Sequence, residues 1–149
     1  MKTLKTNFLV VFVVVNLIGC GYFNAGTWQD DPKNWERAFH QKTPQGIEIM
    51  HSYYWRSPHW TYEFRYFFSI RGTKETRDLL FANGQLKKFD QNSGSNFQLD
   101  NSFDNKPSWF LPKVLDQCEV WIFKDEPRGN FRLFIDKISG DIFITDFQI

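Results

Sequence analysis

The run from Trp60 to Arg71, WTYEFRYFFSIR, constrains this chain more than any other stretch. Trp60, Tyr62, Phe64, Tyr66, Phe68 and Ile70 share one parity, with Thr61, Glu63, Arg65, Ser69 and Arg71 on the other. Alternation of period two makes a strand with one face buried. A slip of one residue would throw the row of aromatic rings into water, so the register is expected to be firmly fixed. Upstream, Ile47, Ile49, His51, Tyr53 and Trp55 also share a parity and predict a partner strand, with Ser57-Pro58 turning an antiparallel hairpin. On that reading His51 points inward.

The end of the chain predicts three more strands, at 117–124, 130–137 and 141–148. Pro127-Arg128-Gly129-Asn130 and Ser139-Gly140-Asp141 supply the turns of a meander. Its inward positions are Cys118, Val120 and Ile122, then Phe131, Leu133 and Ile135, then either Ile142 and Ile144 or Phe143 and Phe147. A first helix begins at Asp31-Pro32, where the carboxylate can cap exposed amides and proline fits the first turn. Trp35, Ala38 and Phe39 form its apolar stripe, and it is expected to end near Lys42. For 73–83 two readings compete. Thr73 as cap and Gly84 as stop describe a helix, whereas Asn83-Gly84 is also a hairpin signal; the charged residues Lys74, Glu75, Arg77 and Asp78 favour the helix. The expected fold is α+β: an antiparallel sheet of about five strands, hairpin plus three-stranded meander, covered on one face by two helices. The segment 90–112 is polar and irregular until Pro107-Ser-Trp-Phe-Leu-Pro112, where Trp109 and Phe110 either pin its far end to the core or form an aromatic lip for a ligand.

The amino terminus carries an address. Lys2 and Lys5 precede an unbroken apolar run from Phe8 to Val15, too short for a membrane span and suited to an export signal. It leads into Leu17-Ile18-Gly19-Cys20, which resembles the lipobox of bacterial lipoproteins. The resemblance covers only residues 1–20. It implies that the Cys20 thiol is alkylated with a diacylglycerol, that residues 1–19 are removed, and that Cys20 becomes the lipidated amino terminus. Gly21, rather than Asp, follows the cysteine, which implies outer-membrane sorting in a cell with two membranes. Ordinary secretory cleavage or an uncut anchor are the competing readings. Two or three acyl chains, at about 0.8 kcal/mol per buried CH₂, give stable attachment. On this reading 20–31 is a tether and 32–149 a single globular domain. Cys118 is then without a disulfide partner and belongs in the core, with no nearby cation to activate it.

Composition narrows the function. With 18 basic against 17 acidic side chains and no basic block, the chain lacks the electrostatic footprint of nucleic-acid binding; its 17 phenylalanines exclude a disordered chain. Without residues 1–19 the count is 16 basic to 17 acidic, which leaves the lipid as the expected membrane contact. His40, His51 and His59 have no metal-site spacing, so no metal is expected. No phosphate-binding or dinucleotide glycine loop and no nucleophile elbow occurs, so no cofactor is expected either. Ser52 and Ser57 lie near His51 and His59, and carboxylates occur at Asp125, Glu126, Asp136, Asp141 and Asp146, but neither set forms a catalytic pattern on spacing alone. The candidate binding residues are Tyr54, Trp55, Arg56, His59 and Trp60 at the hairpin end, with Trp109 from the long segment: aromatics beside Arg and His suit stacking on a partner. The expected function is a membrane-anchored, non-catalytic binding module of the envelope, an immunity or inhibitor protein or an accessory subunit with a protein partner. The alternative is a small periplasmic hydrolase using His51 or His59.

Overall fold

The computed structural model describes residues 25–58, 62–89, 105–110, 117–125 and 130–149. The lipobox with Cys20, the candidate residues His59 and Trp60, most of the 90–112 segment and the Pro127-Arg128-Gly129 turn lie outside them. The described residues form one antiparallel sheet of seven strands: β1 (Gly26–Gln29), β2 (Ile49–Arg56), β3 (Phe64–Ile70), β4 (Leu86–Lys88), β5 (Cys118–Phe123), β6 (Arg132–Asp136) and β7 (Ile142–Gln148), in the order β1-β2-β3-β7-β6-β5-β4. The expected hairpin and meander are both present, and pairing of β3 with β7 joins them.

The sheet has seven strands where about five were expected, and both additions are edges. β1 lies in the stretch assigned to the tether, so the ordered sheet takes in residues before Pro32. β4 follows the second helix. Neither has enough residues to display alternation, and Lys87 and Lys88 have the charge that blunts an exposed edge. The central strands are apolar on both parities because both faces are covered: β3 buries Phe67 on one side, and Phe64, Tyr66, Phe68 and Ile70 on the other.

Two helices, α1 (Asn34–Phe39) and α2 (Lys74–Phe81), pack on one face, where Trp35, Phe39, Leu80 and Phe81 join the larger core. α1 ends three residues before Lys42, because His40 turns to φ 55° while its N–H still bonds to the Glu36 carbonyl. Asp31 accepts the Lys33 N–H at 2.8 Å, one turn ahead of the helix proper. α2 is capped by Thr73, whose hydroxyl accepts the Thr76 N–H at 3.1 Å. Of the two readings of this region the helix holds and the hairpin does not: Gly84 at φ 59° turns the chain from α2 into β4, which pairs with β5.

The opposite face has a smaller core of Phe67, Phe110, Cys118, Val120, Phe134 and Phe143. Phe110, 0% exposed, comes from the 105–110 stretch and meets Phe67 at 4.8 Å between ring centroids, so the far end of the long segment is pinned to the sheet.

One correction governs the site. The pairing register of β2 with β3 shifts between Ile49 and His51. A bulge of one residue flips every side chain beyond it. Ile47 and Ile49 pack on the helical face, but past the bulge Ser52 and Tyr54 take the buried positions. His51, expected to point inward, is 49% exposed at its side chain.

Candidate binding cleft

The bulge sends Tyr53 and Trp55 to the face that carries Phe110. Cross-strand pairing sets Trp55 beside Arg65, and Arg65 beside Phe147. Asn105 and Lys106 approach from the loop, so that Tyr53, Trp55, Arg65, Asn105, Lys106 and Ile149 line an open cleft of about 560 Å³. Two cationic and two aromatic side chains converge here, and none of the lining side chains is acidic. The Arg65 guanidinium carbon lies 5.8 Å from the Phe147 ring, and its Nε is buried with no hydrogen-bond partner among the described residues. A buried donor left unpaired costs about 1–3 kcal/mol. Chemically, the cleft can hold a carboxylate against the cations while an apolar body lies on the rings.

The sequence-derived candidates divide between the faces. Trp55 lines the cleft. Tyr54 is buried on the helical face, and burial first, then a hydrogen bond with Tyr62, drives its phenol well above the ordinary tyrosine range. Arg56 stands over the Tyr62 ring at 4.4 Å, apart from the cleft lining. Trp109 stacks on His51 at 5.3 Å with an interplanar angle of 24°. Tyr54, Arg56 and Trp109 therefore do not join Trp55 in one site, because parity separates the first two and the third packs over the bulged end of β2.

His51 is held by more than stacking. Its Nδ1 lies 3.5 Å from Asp30 Oδ1, and the same carboxylate oxygen accepts the Ser52 N–H at 2.8 Å. Among the described residues no hydroxyl or thiol is hydrogen-bonded to His51; Ser52 Oγ instead accepts a hydrogen bond from the Asn34 side-chain amide at 3.1 Å. Nor do three His, Cys, Asp or Glu side chains gather as a metal site among the described residues. No helix there is long and apolar enough to cross a membrane.

Sequence reasoning missed Tyr53, Arg65, Asn105 and Lys106. Arg65 had a signal, a lone cation between Phe64 and Tyr66 on the polar parity of the strongest strand, but its neighbours across the sheet are not readable from one strand. No protein-family model matches the chain, and no curated protein or solved structure matches it.

Proposed function

We propose that this chain is a lipid-anchored envelope protein that binds an acidic segment of a protein partner in the cleft between Trp55, Arg65 and Lys106. The address rests on Leu17-Ile18-Gly19-Cys20 and implies attachment through Cys20, in the outer membrane where the cell has one. The single observation that carries the binding reading is the convergence of Arg65 and Lys106 with Tyr53 and Trp55 in a cleft lined by no carboxylate side chain. Carboxylates recruited to such a site gain charge-assisted hydrogen bonds, and the rings supply contact area at low entropic cost. Such a site would serve an immunity or inhibitor protein or an accessory subunit of an envelope assembly.

The test is affinity purification of the protein from its native membrane, with mass spectrometry of what co-elutes, beside the double variant Arg65→Gln/Lys106→Gln. A partner retained by the native protein, released by raised salt and lost with the variant is the expected result. An unchanged set of co-eluting proteins overturns it. The hydrolase alternative keeps one supporting observation, the approach of His51 to Asp30. A folded His51→Ala/His59→Ala variant with unchanged phenotype removes that reading, while Trp55→Ala weakens a binder.

A further inference from the structure

Strand pairing ties the cleft to the amino-terminal strand. Thr27 of β1 faces Trp55 of β2, Trp55 faces Arg65 of β3, and Arg65 faces Phe147 of β7, so neighbouring strands contribute one row. The next row outward is Gly26, Arg56, Phe64 and Gln148, with Ile149 beyond it. Both rows belong to the end of the sheet at which β1 begins. At the other end of β3, Ile70 pairs with Ile142 and Ile142 with Ile135. With 7 residues in β3, the two ends stand about 20 Å apart at a strand rise of about 3.3 Å. The β6–β7 turn with Ile138, 85% exposed, extends beyond the far end.

Chain length then limits how far the cleft can stand from Cys20. A chain reaches at most about 3.6 Å per residue whatever its conformation, which keeps Thr27 within about 25 Å of Cys20. Adjacent strands lie about 4.8 Å apart, so Trp55 stays within about 30 Å of Cys20 and Arg65 within about 35 Å. With Cys20 held at the bilayer by its lipid, the cleft cannot rise farther than that from the membrane surface. Lys106 is exposed and Arg65 only half-buried, and ion pairs to such cations contribute little by themselves. A partner fixed in the same membrane meets them almost as an intramolecular contact, which raises avidity by about 10²–10⁴ with no new contact. On the basis of the lipid anchor and the cleft reading above, we propose that the acidic segment taken by the cleft belongs to a protein fixed in the same membrane, next to the point where that protein leaves the bilayer. The domain stands with its Ile149 end toward the bilayer and its Ile138 turn away from it.

Two measurements on the full lipidated chain test this. In the first, the photoreactive residue p-benzoylphenylalanine replaces Asn105, an exposed residue of the cleft lining, and the product of irradiating the producing cell is mapped by mass spectrometry. The expected product joins Asn105's position to an acidic stretch beside the membrane span or lipid anchor of another protein, and it is lost when Arg65→Gln/Lys106→Gln is added. In the second, a donor fluorophore is placed on Ile149→Cys or on Ile138→Cys, with the chain held in phosphatidylcholine vesicles that carry an acceptor on a lipid headgroup. Cys118 is 2% exposed and takes no label. Energy transfer is expected to be stronger from Ile149→Cys than from Ile138→Cys. A product formed with a protein that has neither span nor lipid, or transfer that is equal from the two positions or stronger from Ile138→Cys, overturns the proposal and leaves the cleft itself standing. A product that survives Arg65→Gln/Lys106→Gln, or no product at all, removes the cleft reading and the proposal together. A chain that the vesicles do not retain removes the anchor and the proposal, and leaves the cleft.

Discussion

The backbone of Gly72 lies against that of Gly140: a Cβ added to Gly72 would stand 1.6 Å from the Gly140 carbonyl oxygen. This contact ties the connection between β3 and α2 to the turn between β6 and β7. It is reinforced by the Gly72 N–H on Asp141 Oδ1 and by Arg77 on the Gly140 carbonyl, both at 3.4 Å. The opposing atom is backbone inside a turn organised by Asp136, whose Oδ1 accepts the N–H groups of Ile138 at 2.7 Å and Ser139 at 2.9 Å. Gly72→Ala is therefore expected to destabilise by about 3 kcal/mol, the upper part of the range for forced overpacking. A fall in the urea midpoint with unchanged slope is the measurement. Gly84→Ala is the comparison: nothing lies within 4 Å of its added Cβ, so only the positive φ is strained, at about 1–2 kcal/mol. Equal losses from the two changes would refute the close contact.

A pH dependence follows from Asp31. Hydrogen bonding from the Arg37 guanidinium, then from the Lys33 N–H, holds its carboxyl below the ordinary value. The same Arg37 donates to Asn34 Oδ1 at 2.8 Å and covers the Trp28 ring at 4.4 Å, so the ion pair joins α1 to β1. A carboxyl whose folded pKa is depressed adds stability above its unfolded pKa, near 4, and loses it as pH falls through the lower folded value. Unfolding midpoints of the native chain and Asp31→Asn should therefore differ at pH 6 and converge as the pH drops below about 4. Curves that stay parallel to the lowest pH would exclude this linkage.

The parts of the fold that could be read from the sequence are those whose pattern is long. The Phe64–Ile70 strand, the closing meander and the Thr73 cap follow from periodicity and local hydrogen bonding, and all three are present. The two edge strands are defined by their neighbours rather than by their own side chains, so they carry no periodic signal. The bulge after Ile49 is a finer case: the odd-numbered row from Ile47 to Trp55 looks continuous, yet one extra residue divides it between faces. That division decided the site. It placed Trp55 next to Arg65 while burying Tyr54, and Lys106 reaches them across a sequence distance that no local rule spans.

Phe110 tests the anchoring of the 105–110 stretch. Its ring meets Phe67 at 4.8 Å, Phe143 at 5.7 Å and Phe134 at 6.4 Å, each in edge-to-face geometry, so it closes the smaller core over three strands. Phe110→Ala is expected to cost about 3–5 kcal/mol, as large buried aromatics do. It should also loosen the neighbouring Trp109 from His51. Chemical denaturation gives the first quantity, and faster exchange of the Trp109 indole proton reports the second. A loss below about 1 kcal/mol would show that the ring contributes little to the core.

Counting thiols tests the proposed anchor independently of any partner. Cys118 is 2% exposed, and burial first, then the nearby Asp136 carboxylate, pushes its thiol above the ordinary cysteine range. A thiol so placed is both hidden and protonated, so it should not react with a disulfide reagent while the chain is folded. Unfolding exposes it. If Cys20 is a thioether, as its place in Leu17-Ile18-Gly19-Cys20 implies, denatured protein from the producing cell releases one equivalent of thiolate per chain and the folded protein none. Two equivalents on unfolding would leave Cys20 unmodified and remove the lipid anchor, while the cleft beside Arg65 would keep its own test, since its charges do not depend on how the chain is tethered.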